Sequence, residues 1–182
     1  MKLSRALNLV IPIDRDDGST VYVHAMPISM EVFNEHFLVI ARTSAALWGL
    51  NLGLTAGPRV AAKMLRNTAK TLQVENETLN LTNEITRLSN VVVPSEGGYK
   101  TIPLFSALKE DGLSKDDYEE VENILVFFTV LSAMQPKKTL EPLLRETASL
   151  WGGQIESLNC TDYANSLRTS TGAASSGGTV AG

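Results

Sequence analysis

Between Val21 and Leu47 the apolar residues change period, and the change falls at a proline. Val21, Val23 and Ala25 alternate with Tyr22 and His24, the pattern of a half-buried strand, and Pro27 ends the ladder because it has no N–H to donate. Ser29 then suits a helix N-cap, and Glu31 sits in the first turn, where the helix dipole favours negative charge. Phe33, Phe37, Ile40, Ser44 and Leu47 follow at helical spacing as one apolar face, with Glu35, His36 and Arg42 off it. A strand passing so directly into a helix makes this an α+β chain, and the long periodic segments downstream make it mainly α-helical.

The next segment restarts the helix after a loop with Gly49, Gly53 and Gly57, where Gly57-Pro58 predicts a flexible cap and a proline at the first helical position. Val60, Ala61, Met64, Leu65, Thr68 and Leu72 form the expected buried face, small enough to let a second helix approach closely. Arg59, Lys63, Arg66 and Lys70 fall on the opposite face as one positive stripe.

Upstream, Leu7, Leu9, Ile11 and Ile13 alternate with Asn8 and Pro12, and Asp14 to Gly18 is rich in turn formers. With the strand at 20–25 they predict an N-terminal β-hairpin over about residues 6–26. A lone hairpin is marginal in water, so it should lie on the helices or add its open edge to a neighbouring subunit. Downstream, the polar run Gln73 to Asn80 reads as a connection, and Leu81, Ile85 and Leu88 as a short helix. Val91 to Val93 and Tyr99 to Ile102 suggest a second, small hairpin, and Pro103 opens a short helix from Leu104 to Lys109, closed by Asp111-Gly112.

Ser114 with Asp117 has the form of a capping box. The helix it opens runs to about Met134, acidic at first and apolar nearly all round at its end, which predicts the most buried helix of the fold. Thr139 begins another helix that stops at Gly152-Gly153, and Ile155 to Leu167 reads as a last short one. Residues 1–167 therefore form a single helical domain with its hairpin. Residues 168–182, almost wholly Ser, Thr, Gly and Ala, are expected to be a flexible tail. Phe33, Phe37 and Leu125 are expected in the core.

A chain of 182 residues can bury a true core without staples. Its one cysteine, Cys160, excludes an intrachain disulfide and fits a reducing compartment. The net charge of -4 argues against the whole chain attracting nucleic acid, and the basic stripe has no interleaved aromatic residues. The longest apolar run, Ile124 to Met134, is about half of the roughly 20 residues needed to span a bilayer. The N-terminal MKLSRALNLVIPIDRDD is too short in its apolar run, and too soon charged, for a secretory signal. A cytosolic protein without membrane or nucleic-acid partners is the expectation.

Chemistry is sparse. His24 and His36 share no metal-ligand spacing with each other or with Cys160; His24 reads as a surface residue on the hairpin and His36 as a solvated or locally hydrogen-bonded helix residue. The glycines at 49, 53 and 57 match neither a dinucleotide fingerprint nor a phosphate loop. Ser106 and Lys109 match the Ser-x-x-Lys pattern of penicillin-recognising enzymes, but the companion motifs are missing. These observations point away from an enzyme and require no cofactor or metal.

The run YVHAMPISMEVFNEHFLVIARTSAALW, then GLTAGPRVAAKML and SLWGGQIESLNCTDYANSL, resembles the tail assembly chaperones of long-tailed bacteriophages, over most of the chain to about Leu167. The resemblance implies a non-enzymatic protein of the host cytoplasm that binds the tape-measure protein, helps recruit tail-tube subunits around it, and is absent from the mature virion. In that family a longer form often arises by ribosomal frameshifting, and the C-terminal tail would suit a linker to such an extension. Client contacts are placed at Trp48, Leu50 and Leu52 and along Arg59, Lys63, Arg66 and Lys70, with self-association as a further use of the stripe. The alternative is a structural virion component, such as a head-tail joining or minor tail protein, assembling through the hairpin edge.

Overall fold

The computed structural model describes residues 7–107, 109 and 112–173. In chain order its elements are β1 (Asn8–Asp14), β2 (Thr20–Ala25), α1 (Met30–Glu35), α2 (Phe37–Gly49), α3 (Gly53–Leu72), α4 (Glu75–Arg87) and β3 (Ser89–Ser95). They continue with β4 (Gly98–Pro103), α5 (Leu104–Ala107), α6 (Lys115–Met134), α7 (Lys137–Ser149), β5 (Gln154–Glu156) and α8 (Cys160–Ala173). The architecture is α+β and mainly helical, as the change of period at Pro27 implies.

Both expected hairpins form, and they join. β2 pairs with β3 through Val23 opposite Val91, and the sheet runs β4-β3-β2-β1-β5 with every pairing antiparallel. β5 pairs with Asn8–Val10 of β1, so that part of the hairpin's outer edge is covered, while Ile11–Asp14 has no strand partner there among the described residues. Of its two expected placements, the hairpin lies on the helices. The strand β5 stands where the helix expected from Ile155 would begin; that helix, α8, starts five residues later and overruns the expected end at Leu167. Asn159 caps it, its Oδ1 accepting the Asp162 N–H at 2.9 Å. From residue 174 onward the expected tail lies outside the described residues.

One face of the sheet, carrying Leu9, Ile11, Val21, Val23, Val91 and Ile155, packs on the helical layer. The other face lies under α8, where Val10 and Val92 meet Tyr163 and Ala164. At the centre of the helical layer α6 is buried at every position from Ile124 to Leu131, including Leu125. Its capping box is as expected: Ser114 Oγ accepts the Asp117 N–H at 3.1 Å and the Asp117 carboxylate accepts the Ser114 N–H.

The helix boundaries differ from the sequence reading in three places. The helix capped by Ser29 breaks at His36, and the ring there is buried rather than solvated, while Phe37 is 51% exposed and Phe33 is half-buried against it. The break rotates the start of α2, which takes Phe37 off the buried face. α3 starts at Gly53 rather than Pro58, so Gly57 and Pro58 lie in its second turn, and its fully buried stripe is Pro58, Ala61, Ala62, Leu65 and Ala69, with Val60, Met64, Thr68 and Leu72 half-covered. The run Gln73 to Asn80 is no connection: most of it is the first half of α4, whose Thr78, Leu81 and Ile85 are buried at helical spacing.

Candidate functional site

α2 is apolar on more than its buried side. Val39, Ile40, Thr43, Ser44 and Leu47 face the core, yet Leu38, Ala45 and Trp48 are exposed on the outer side with Arg42 as that side's charge. The positions 38, 42, 45 and 48 follow i, i+4, i+7, i+10, so they form one stripe, about 15 Å long at the usual helical rise. Beyond its end Leu50 is 62% exposed, and at its start Met30 and Phe37 are exposed by similar amounts. Large apolar side chains left in water along one surface mark an interaction site, whereas singly scattered ones do not.

Along this stripe α2 and α3 leave a groove of about 620 Å³, lined by Arg42, Ala45 and Ala46 on one wall and by Met64, Thr68 and Leu72 on the other. The small residues of both walls keep it shallow enough for a side-chain ridge to enter. Trp48 and Leu50, where client contacts were expected, are both exposed at the C-terminal end of α2. Leu52 is not: it is half-buried against the core and serves the α2–α3 connection.

The positive stripe of α3 is real but not free along its length. Arg66 makes a two-pronged pair with Glu122 of α6, its Nη1 2.9 and 3.0 Å from the two carboxylate oxygens. Arg59 borders a cleft of about 470 Å³ with Asp117, Glu120 and Trp151. The acidic half of α6 therefore lies beside the basic stripe of the same chain. Lys63 and Lys70 are exposed and make no ion pair among the described residues.

A second place was missed entirely. The carbonyl oxygen of Leu158, in the loop before α8, accepts the Asn8 Nδ2–H at 2.8 Å and lies 2.9 Å from His24 Nε2, which must donate to it. His24 is fully buried, contrary to its expected surface position, because α8 and this loop cover the outer sheet face. Burial holds its pKa below the ordinary value of about 6.5, against the opposing pull of the Leu158 carbonyl and, more weakly, of Glu156. Its Nδ1 and the Asn8 Oδ1 are buried without a partner. Beside it, burial pushes the Tyr163 hydroxyl up to about 12 and the Cys160 thiol up to about 11.

The remaining motifs assemble nothing. Ser106 is in α5 and Lys109 beyond it, with no hydrogen bond between their side chains among the described residues. No group of three or more His, Cys, Asp or Glu among the described residues could hold a metal ion, and no helix there is long and apolar enough to cross a membrane. The chain matches no protein-family model, no curated protein and no solved structure.

Proposed function

We propose that this chain is a non-enzymatic tail assembly chaperone of a long-tailed bacteriophage, which holds the helices of the tape-measure protein and helps recruit tail-tube subunits. The observation that carries the reading is the outer side of α2: Leu38, Ala45 and Trp48 lie in water, Ala45 lining a groove, on a helix whose opposite side already fills the core. Such a surface shields apolar client surface by contact alone, without nucleotide or metal. The sequence resemblance supplies the biological role.

The reading of a structural virion component relied on the hairpin edge, which β5 covers over Asn8–Val10. The edges that remain are β5, only three residues long, the Ile11–Asp14 end of β1, which carries Pro12, and β4, which ends at Pro103; all are poor templates for strand addition. This supports the chaperone reading over the alternative.

The test is co-expression with the neighbouring long helical tape-measure candidate, scoring its solubility and then assaying finished particles for both proteins. Rescue of solubility, with this chain missing from particles, is the expected result. No rescue, with the chain retained in particles, overturns the reading. Trp48→Ala and Leu50→Ala should each weaken client capture in a protein that stays folded, and unchanged capture would remove the contact from this surface.

A further inference from the structure

α4 begins without a side-chain cap. Val74 stands at the cap position and makes no side-chain hydrogen bond there, so the first N–H groups of the helix have no partner within it. Glu75, Asn76 and Thr78 of this end line, with residues of α3 and α6, a pocket of about 430 Å³ that shares no lining residue with the α2–α3 groove. Its apolar wall is Ala69 and Leu79, the latter 58% exposed. Thr78 is only 4% exposed, yet its Oγ1 has no hydrogen-bond partner. Buried hydroxyls are nearly always paired, because one left alone has given up its water for nothing. Four charges line the same pocket. Arg66 and Glu122 neutralise each other through their two-pronged pair. Lys70 and Glu75 are exposed and make no ion pair among the described residues.

We propose that this pocket binds a monocarboxylate whose charged end is joined to an apolar group. The carboxylate oxygens meet the Lys70 ammonium, the Thr78 hydroxyl and the first N–H groups of α4, where the helix dipole favours an anion. The apolar group lies against Ala69 and Leu79. Glu75 and Glu122 set the charge of the ligand: with two carboxylates already lining the pocket, a second negative charge is repelled, which selects against phosphate and dicarboxylates. Glu75 also competes with the ligand for Lys70 and the helix end, and being exposed it can turn to water as the ligand enters. Two sources carry this chemistry, a free apolar acid and the C-terminus of a peptide that ends in an apolar residue. The site is independent of the chaperone reading, which rests on the outer side of α2.

The experiment titrates the full chain by calorimetry with octanoate, with octanol, with a short peptide ending in leucine with a free C-terminus, and with the same peptide as its C-terminal amide. Octanoate or the free-ended peptide should bind, and its neutral counterpart should bind about tenfold more weakly. Octanoate alone identifies a free acid, the free-ended peptide alone identifies a chain end, and both together show that the carboxylate with its apolar group suffices; each supports the proposal. Lys70→Gln and Thr78→Val should each weaken binding about fivefold, and Glu75→Gln should tighten it about twofold. Thr78→Val gives up no hydrogen bond and should be at least as stable as the parent in urea. Should it unfold, Lys70→Gln and Glu75→Gln, both at exposed positions, carry the test. Binding of neither charged probe, equal binding of charged and neutral probes, or displacement by phosphate or succinate overturns the proposal. So does an affinity left unchanged by Lys70→Gln or by a folded Thr78→Val, or one not raised by Glu75→Gln.

Discussion

Gly57 of α3 faces the ring of Phe127 of α6 so closely that a Cβ at position 57 would lie 2.5 Å from Phe127 Cε2. Glycine is there because two helices cross with nothing between backbone and ring. In an open helix Gly→Ala stabilises by about 0.5–1 kcal/mol, while forcing a methyl into a packed core costs about 1–3 kcal/mol. Phe127 is buried and cannot swing away, so the second effect wins. Gly57→Ala should lower the unfolding free energy by about 1–2 kcal/mol in urea titrations. Gly57→Ala/Phe127→Leu should be less destabilised than the sum of the two single variants, because the smaller side chain gives the methyl room.

His24 gives the chain an acid sensitivity with a defined sign. Its folded pKa is lowered by burial, so the unfolded chain binds the proton more readily. The stability is complete above the ordinary value of about 6.5 and is lost as pH falls from there to the folded value, at up to about 1.4 kcal/mol per pH unit. A charge on the imidazole would also put a second N–H where Nδ1 has no acceptor. His24→Gln can keep a donor toward Leu158 O but cannot titrate. Urea titrations at pH 7.5 and 5.5 should therefore show a smaller pH loss in the variant than in the parent, and equal losses would place the acid sensitivity elsewhere.

The fate of His24 also shows what the sequence made legible. Alternation in β2 and the helical spacing beyond Pro27 are local signals; the strand formed where it was indicated, and the helical segment formed as two helices broken at His36. Capping at Ser29 and Ser114 is equally local, and both caps are present. What covers a strand's second face is not local. Val10 was the available sign, because it interrupts the alternation of Leu9 and Ile11 with an apolar residue pointing outward, as in a strand buried on both faces. β5 is three residues long and has no period to read; the sign there was Gly153, where a Cβ would lie 2.7 Å from the Val10 carbonyl oxygen. Of the candidate site, Trp48 and Leu50 were legible from their place at a helix end. The groove was not, because it is made by the rotation of α2 against α3 rather than by either sequence alone.

Arg66 and Glu122 should contribute little to stability despite their short contact. The Arg66 side chain is 52% exposed, and pairs of that kind are worth about 0–1 kcal/mol. Glu122→Gln should therefore shift the unfolding free energy by less than about 1 kcal/mol, with most of the shift gone at high salt. Arg66→Glu is the less informative change, because it sets two carboxylates against each other. If it abolishes client capture while Arg66→Gln does not, the loss belongs to that repulsion and not to a contact with the client.

Cys160 reports on the seating of α8. Its thiol opens the helix against the outer sheet face, and burial raises its pKa to about 11. Only about one molecule in a thousand then carries the reactive thiolate at pH 8, against a substantial fraction for a free cysteine. The folded protein should react with iodoacetamide at pH 8 at least a hundredfold more slowly than the protein in urea. Displacing α8 should remove this protection without unfolding the helical layer, since Val10, Val92, Tyr163 and Ala164 form a small cluster separate from the main core. Tyr163→Ala takes out the largest side chain of that cluster and should bring the reaction close to the unfolded rate while α-helical circular dichroism stays largely intact. A variant whose Cys160 stays protected would show that the sheet holds α8 by the Leu158 contacts with Asn8 and His24 instead.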